Sequence, residues 1–339
     1  MEYINEITIN EAVIHALDSN AGEPILNEYP LRLNDETYMF IHKITAKSLK
    51  DEKLKYAKFN NDSVIKDLAS DYINGHKELI EISQEIAKDI FSIMKHKCNI
   101  PSADLLVVSI STEYGPIIAI FKLDYAKNYH HNIEFVDNKL GMNIIPVTSL
   151  PKTVKQCAFI KGMKLNGSYD LMVLDKTKDT KEEEYSSNWF KEKFLECYEV
   201  ENERDITKKF LNATDKWIKS GLKENADAAE IIRNSINKKL IEEDKINIPK
   251  LADEILGQGK DIRENFVEYM NECNVDEKFS VDKQWVEAKL KKKKLKIDKD
   301  IELSITQEAY KDTNRFEIIR NGDGSIDMLI KNIRNYIEK

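Results

Sequence analysis

Between Asp104 and Asp175 the chain repeats one pattern: six to eight mostly apolar residues, then a break. DLLVVSIS and IIAIFKL flank TEYGP, where Gly115-Pro116 marks a turn, so the two read as a hairpin. NIEFVD and NIIPVTS read as another around NKLGM, and KQCAFI and YDLMVLD follow, separated by KLNGS. Four to six short strands in succession, with helices mostly before them, predict an antiparallel sheet in an α+β domain. A Rossmann-type alternation does not fit this order.

The flanking segments extend the pattern. EITINEAVIHAL is a first strand, with Ile7, Ile9, Val13 and Ile14 as its apolar points. AGEPILNEYPLRL, broken by Pro24 and Pro30, reads as a loop or short edge structure. Asn61 or Asp62 is positioned to cap a helix through VIKDLASDYIN, which Gly75 interrupts. HKELIEISQEIAKDIFSIMKHK repeats apolar residues at Leu79, Ile82, Ile86, Ile90 and Ile93, the single buried stripe of an amphipathic helix.

KTKDTKEEEYSS is polar, charged and without apolar periodicity, and reads as a linker between an N-terminal α+β domain (1–178) and a C-terminal domain (186–339). The second domain is mainly helical. NWFKEKFLECYEV, DITKKFLNATDKWIKSGL, AAEIIRNSINKKLIEE, IPKLADEIL and DIRENFVEYMNE are its amphipathic candidates. VDKQWVEAKLKKKK reads as a last helix ending in a lysine run. LKIDKDIELSI, NRFEIIRN and SIDMLIKNI then close the chain as a small β-meander, with NGDG as a type I′ turn whose Asn and Gly take positive φ.

Several functions are disfavoured by what the 339 residues lack. No apolar run approaches the roughly 18–20 residues of a membrane span. The first residues, MEYINEITINEA, carry acids and no basic region, which argues against a secretory signal. Cys98, Cys157, Cys197 and Cys273 are far apart and form no CxxC, as expected of free thiols in a reducing compartment. Six histidines, among them His15 and the adjacent pair His130 and His131, show no metal-ligand spacing. There is no phosphate-binding glycine motif, and GQGK lies between helices without a preceding strand. NGDGSID has Ile326 where a calcium loop needs Gly and Asn332 where it needs Glu. Asp175, at the end of LMVLD, reads as a cap before a metal ligand. A nuclease or hydrolase is the least supported class, and metal-dependent loss of substrate would reveal one.

Charge directs attention to one place. The net charge is −8, and residues 1–150 hold 22 acidic against 15 basic side chains. Attraction to a polyanion must therefore be local to the second half. Six lysines fall within Lys289–Lys296: Lys289, Lys291, Lys292, Lys293, Lys294 and Lys296. At a helix end they would complement the dipole, and as a patch they would contact phosphates, two or three at a time. IPKLADEIL and DIRENFVEYMNE resemble a helix-turn-helix in spacing, but Asp261, Glu264, Glu268 and Glu272 would repel a duplex and Arg263 alone does not offset them.

The order of segments also carries a resemblance. INEAVIHALD, the LLVVSIS and IIAIFKLDY hairpin, SLPKTVKQCAFI, and YDLMVLDK followed by FKEKFLECYEV resemble the bacterial 37-kDa nucleoid-associated protein family, as do KLKIDKDIEL and FEIIRNGDGSIDMLIKNI. The resemblance spans nearly the whole chain and implies a cytoplasmic protein of the nucleoid that binds DNA directly or through partners. It brings no catalytic residue and no cofactor.

The expectation is thus a non-enzymatic nucleoid-associated protein that contacts double-stranded DNA through phosphates, with little sequence specificity, at the lysine run. Arg320, Lys331 and Arg334 extend that surface if the fold brings them together. The alternative is an adaptor whose acidic N-terminal half docks on a chromosome-associated protein partner, with phage defence or plasmid control as settings. Both readings are compatible with a homo-oligomer.

Overall fold

The computed structural model describes residues 2–96, 100–137, 139–162, 167–177, 188–221, 226–257 and 259–335. Two compact units, Glu2–Glu201 and Asn202–Lys339, divide the chain. The linker-like stretch lies outside the described residues from 178 to 187, and so does Cys98.

The first unit runs β1 (Ile7–Leu17), α1 (Asp35–Leu49), β2 (Lys55–Phe59), α2 (Val64–Ile73), α3 (Leu79–His96), β3 (Ala103–Thr112), β4 (Gly115–Asp124), β5 (Ala126–Val136), β6 (Lys139–Ser149), β7 (Gln156–Lys161), β8 (Leu171–Asp175) and β9 (Cys197–Val200). Seven strands form one antiparallel sheet in the order β1-β3-β4-β7-β8-β2-β9. The β3–β4 hairpin pairs from Thr112 with Gly115 to Ala103 with Asp124, and Gly115 takes φ 111° at the turn. Its residues are buried on both faces. Leu105, Val107, Ile118 and Ile120 pack with Ile82, Ile86 and Ile90 of α3. Cys157 alternates with Ala158, which lies on the α3 side, and meets Ser48 of α1 on the other face. Helices on both faces explain why the central strands are continuously apolar instead of alternating.

α3 buries Leu79, Ile82, Ile86 and Ile90, with Ile93 partly buried, as its periodicity requires. α2 is capped by Ser63, not by Asn61 or Asp62. The Ser63 hydroxyl accepts from Lys66 N at 3.3 Å and donates to the Leu195 carbonyl at 2.9 Å. One side chain thus ties a helix start to a segment 132 residues on, a contact that local spacing does not encode. Ser63→Ala is expected to cost about 1–2 kcal/mol, through the lost cap and a stranded buried carbonyl. A urea midpoint unchanged from the parent would refute that.

NWFKEKFLECYEV is not a helix. Phe190–Phe194 makes a short π-helical turn, and CYEV becomes edge strand β9, with Cys197 opposite Phe59 of β2. Trp189, Phe190, Phe194, Leu195 and Cys197 are all buried in the α3-side core, an apolar set too dense for one helical stripe. The second hairpin is longer than its signature. β5 and β6 pair over eleven positions, from Ala126 with Ser149 to Val136 with Lys139, so Lys139 to Met142 of NKLGM belong to the paired strand instead of to the turn. The rings of His130 and His131 stack with centroids 4.9 Å apart.

The second unit runs α4 (Glu203–Gly221), α5 (Ala226–Glu242), β10 (Lys245–Asn247), α6 (Ile248–Ile255), α7 (Lys260–Glu272), β11 (Lys278–Ser280), α8 (Lys283–Leu290), β12 (Lys292–Ile297), β13 (Ile301–Thr306), α9 (Gln307–Lys311), β14 (Phe316–Arg320) and β15 (Ile326–Ile330). Its core gathers Phe210, Trp217, Leu240, Phe266, Phe279 and Val286. Trp217 stacks edge-on against Phe266 and donates its indole N–H to Asn265 Oδ1 at 2.9 Å, which satisfies the polar end of a buried aromatic. The closing strands form two hairpins, β12–β13 and β14–β15.

Two local readings change here. α8 ends at Leu290, and the lysine run continues as β12, with Lys292 opposite Thr306 and Ile297 opposite Ile301. A helix would stack the lysines at i, i+3 and i, i+4, where like charges repel. Pairing with IELSIT offers the backbone an alternative. The NGDG turn is a five-residue loop, Asn321 to Ser325, in which Gly324 has φ 87° and Asn321 does not take positive φ. Asp323 Oδ1 accepts from the Ser325 amide and hydroxyl, so loop hydrogen bonds supply what the two-residue turn would have needed from Asn.

Candidate nucleic-acid interface

The lysine-rich hairpin starts from a capped helix. Asp282 accepts from the Trp285 amide at 3.0 Å, and Trp285 and Val286 anchor α8 in the core. The chain leaves the core at Leu290, with Lys289 and Lys291 exposed on either side. In β12, positions 292, 294 and 296 alternate with 293, 295 and 297, so same-face positions recur about every 6.8 Å. Lys296 is opposite Glu302. Over residues 289–306 seven lysines face three acids, Asp298, Asp300 and Glu302. The seventh, exposed Lys299, sits in the turn between Asp298 and Asp300.

Helix α9 lies against β12, β13 and β14 and so relates the two terminal hairpins. Tyr310 of α9 stacks on Phe316 of β14 at 5.4 Å. Its hydroxyl donates to Glu230 of α5 at 2.8 Å, and the other oxygen of Glu230 meets Arg320 at 3.6 Å. Lys331 is ion-paired with Glu317 across the β14–β15 pair. Of the three extending positions, Arg320 and Lys331 are therefore engaged within the unit, and Arg334 is exposed. Glu230 is the residue that sequence reasoning missed. No local signal marks it, since its partners lie 80 and 90 positions away.

In the helix-turn-helix alternative both cations of the second helix are paired, Arg263 with Asp253 at 2.5 Å and Lys260 with Glu264 at 3.6 Å. The remaining surface of α7 is acidic at Glu264 and Glu268.

His15 and the two buried thiols of the first unit are held in unreactive states. The Asn27 amide donates to His15 Nδ1 at 3.0 Å, so Nε2 carries the proton and donates to Ser83 Oγ at 2.9 Å. Ser83 in turn donates to the Ile80 carbonyl. Proton flow in this Ser–His pair is the reverse of what an activated nucleophile needs. Burial lowers the imidazole to about 4. Burial also pushes the Cys157 and Cys197 thiols up to about 12, which removes the thiolate at neutral pH. Lys122, fully buried on β4, pairs with Asp124, and Asp175 Oδ1 accepts from Thr177 and Gln156, the cap expected for a strand-ending acid. Among the described residues no helix is long and apolar enough to cross a membrane.

Comparison with curated proteins returned no match. The family profile described as nucleoid-associated protein YejK aligns with residues 13–338, from the first sheet strand to the last residues of the chain. With that span, the chain belongs to the nucleoid-associated protein YejK family.

Proposed function

We propose that this protein is a non-enzymatic nucleoid component that holds double-stranded DNA by its phosphates, with little sequence specificity, through the β12–β13 hairpin. The observation that carries this reading is local charge: an excess of four lysines over residues 289–306 in a chain whose net charge is −8. Among the described residues no aromatic stacks beside the run to support base reading. Arg334 adds to the surface, while Arg320 and Lys331 contribute only by exchanging Glu230 and Glu317 for phosphate.

The test is equilibrium binding to a random-sequence duplex at several salt concentrations, with Lys291, Lys292, Lys293 and Lys294 changed to Gln in a parallel variant. The parent is expected to bind at about micromolar strength or tighter at low salt, and the variant to lose about two from the slope of log affinity against log salt. Equal slopes would remove the hairpin from the interface. The excess of acid in residues 1–150 favours the second reading, an adaptor that reaches the chromosome through a basic protein partner. That reading predicts chromosome association in cells with no affinity of the purified protein for naked DNA.

A further inference from the structure

The β5–β6 ribbon is inserted between β4 and β7, which pair with each other directly, from Ile117 with Lys161 to Lys122 with Gln156. A short turn would have served the sheet. Instead the chain builds an eleven-pair ribbon that belongs to no larger sheet. Its register gathers most of the exposed large apolar side chains on one face. Positions directly opposite share a face, and successive positions alternate. One face therefore carries Tyr129, Ile133 and Phe135 from β5, opposite Pro146, Met142 and Leu140 from β6, with Ile144 opposite His131. The other face mixes Asn128, Asn132, Glu134 and Lys139 with Ile145 and Val147, which are only 38% and 36% exposed, and Asn132 donates to Glu134 at 2.7 Å.

The apolar face is bare. Phe135 is 78% exposed, Ile144 77% and Tyr129 74%, with Ile133, Leu140 and Met142 all above half. A two-stranded ribbon with such a face is not stable by burial of its own making, and patches of this kind mark interaction sites. The ribbon does not fit DNA: residues 126–149 hold two lysines and two acids.

We infer that this face docks on the same face of a second copy of the chain, the two ribbons running antiparallel about a two-fold axis. Area supports that occupant. The exposed fractions of the six apolar residues amount to about four large side chains. At roughly 150–200 Å² each this is about 600–800 Å² per copy, one side of a standard stable interface. Charge supports it as well. The face is free of acids, and its one lysine, Lys127, sits at the base of the ribbon, while Asp137 sits at the tip with φ 51°. An antiparallel two-fold brings each Lys127 to the partner's tip acid and places the rows of Ile133 with Met142 and of His131 with Ile144 at the centre. An isologous contact of this kind is closed, so it stops at a dimer.

Sedimentation equilibrium of the full chain tests this, because mass is read independently of DNA binding. The parent is expected at twice the monomer mass at micromolar concentration. The variant I133T/M142T/I144T keeps β-branched or strand-compatible residues at exposed positions, so it should fold with an unchanged melting midpoint and dissociate at least a hundredfold more readily. Lys127→Glu should weaken the dimer about tenfold, and adding Asp137→Lys should restore it. A parent that stays monomeric at about 100 μM, a triple variant that stays dimeric, or a charge swap that fails to restore pairing overturns the inference. So does a monomeric parent that co-sediments with zwitterionic lipid vesicles, which would assign the face to a membrane surface.

Discussion

Phe121→Ala is expected to destabilise the first unit by about 3–5 kcal/mol, the largest effect of any single truncation proposed for this chain. Phe121 is fully buried in β4, opposite Leu106 and Cys157 in its two neighbouring strands, and meets Phe159 edge-on with centroids 5.6 Å apart and planes at 86°. Strands on both sides hold its surroundings, so they cannot collapse into the space left, and the cavity cost adds to the lost transfer energy. Native-state hydrogen exchange of the β3 and β4 amides measures the loss within this unit alone. Phe121→Ala and Phe159→Ala share the edge-on contact, so their combined cost should be less than additive by about 0.5–1.5 kcal/mol. A loss below about 1.5 kcal/mol would mean that α1 closes over the gap, and that the face it covers is not rigidly packed.

Acid should weaken the same unit through His15. Its imidazole is 1% exposed, and desolvation lowers it from 6.5 to about 4. Between those values the unfolded chain takes up a proton that the folded chain refuses, so stability rises with pH across the window. The contribution is full above about 6.5, falls as pH drops, and levels off below 4. Its total is about 3 kcal/mol, with little solvent screening to discount it. Asp89 works in the opposite sense: burial and the nearby Glu196 carboxylate push it up to about 6, so it favours folding as pH falls. The parent curve alone therefore mixes the two. The difference between parent and His15→Gln, measured from pH 7 to pH 4 by urea unfolding, isolates the histidine. The gap between the two should narrow by about 3 kcal/mol toward acid. A constant gap would mean that His15 accepts its proton in the folded state, and that the Asn27 and Ser83 hydrogen bonds do not hold it neutral.

Much of the fold was legible because its signals are local. The TEYGP turn and the apolar runs beside it specify β3 and β4, and the stripe from Leu79 to Ile90 specifies α3. The α1 helix and the β2 strand carried weaker periodicity, and α1 has its own Asn34 cap, which accepts from Thr37 N at 2.9 Å. The candidate interface was legible as a cluster of charge, but its conformation was not. Four consecutive lysines read alike in helix and strand, and the deciding partner, IELSIT, lies beyond the turn, with Lys292 opposite Thr306. Arg320 and Lys331 looked available in the sequence, and Glu230 and Glu317 engage them only in the folded unit.

Taken by itself, the sequence determined the family, the antiparallel hairpins, the amphipathic helices and the place where positive charge concentrates, because periodicity, turn chemistry and composition are properties of neighbours along the chain. The tertiary structure alone decided which faces are covered. Leu105 and Val107 of β3 and Ile133 and Phe135 of β5 are all apolar residues at alternate strand positions, yet the first two are buried against α3 while the second two are exposed. That difference is made by elements distant in sequence, since burial is set by what packs against a strand and not by the strand's own pattern.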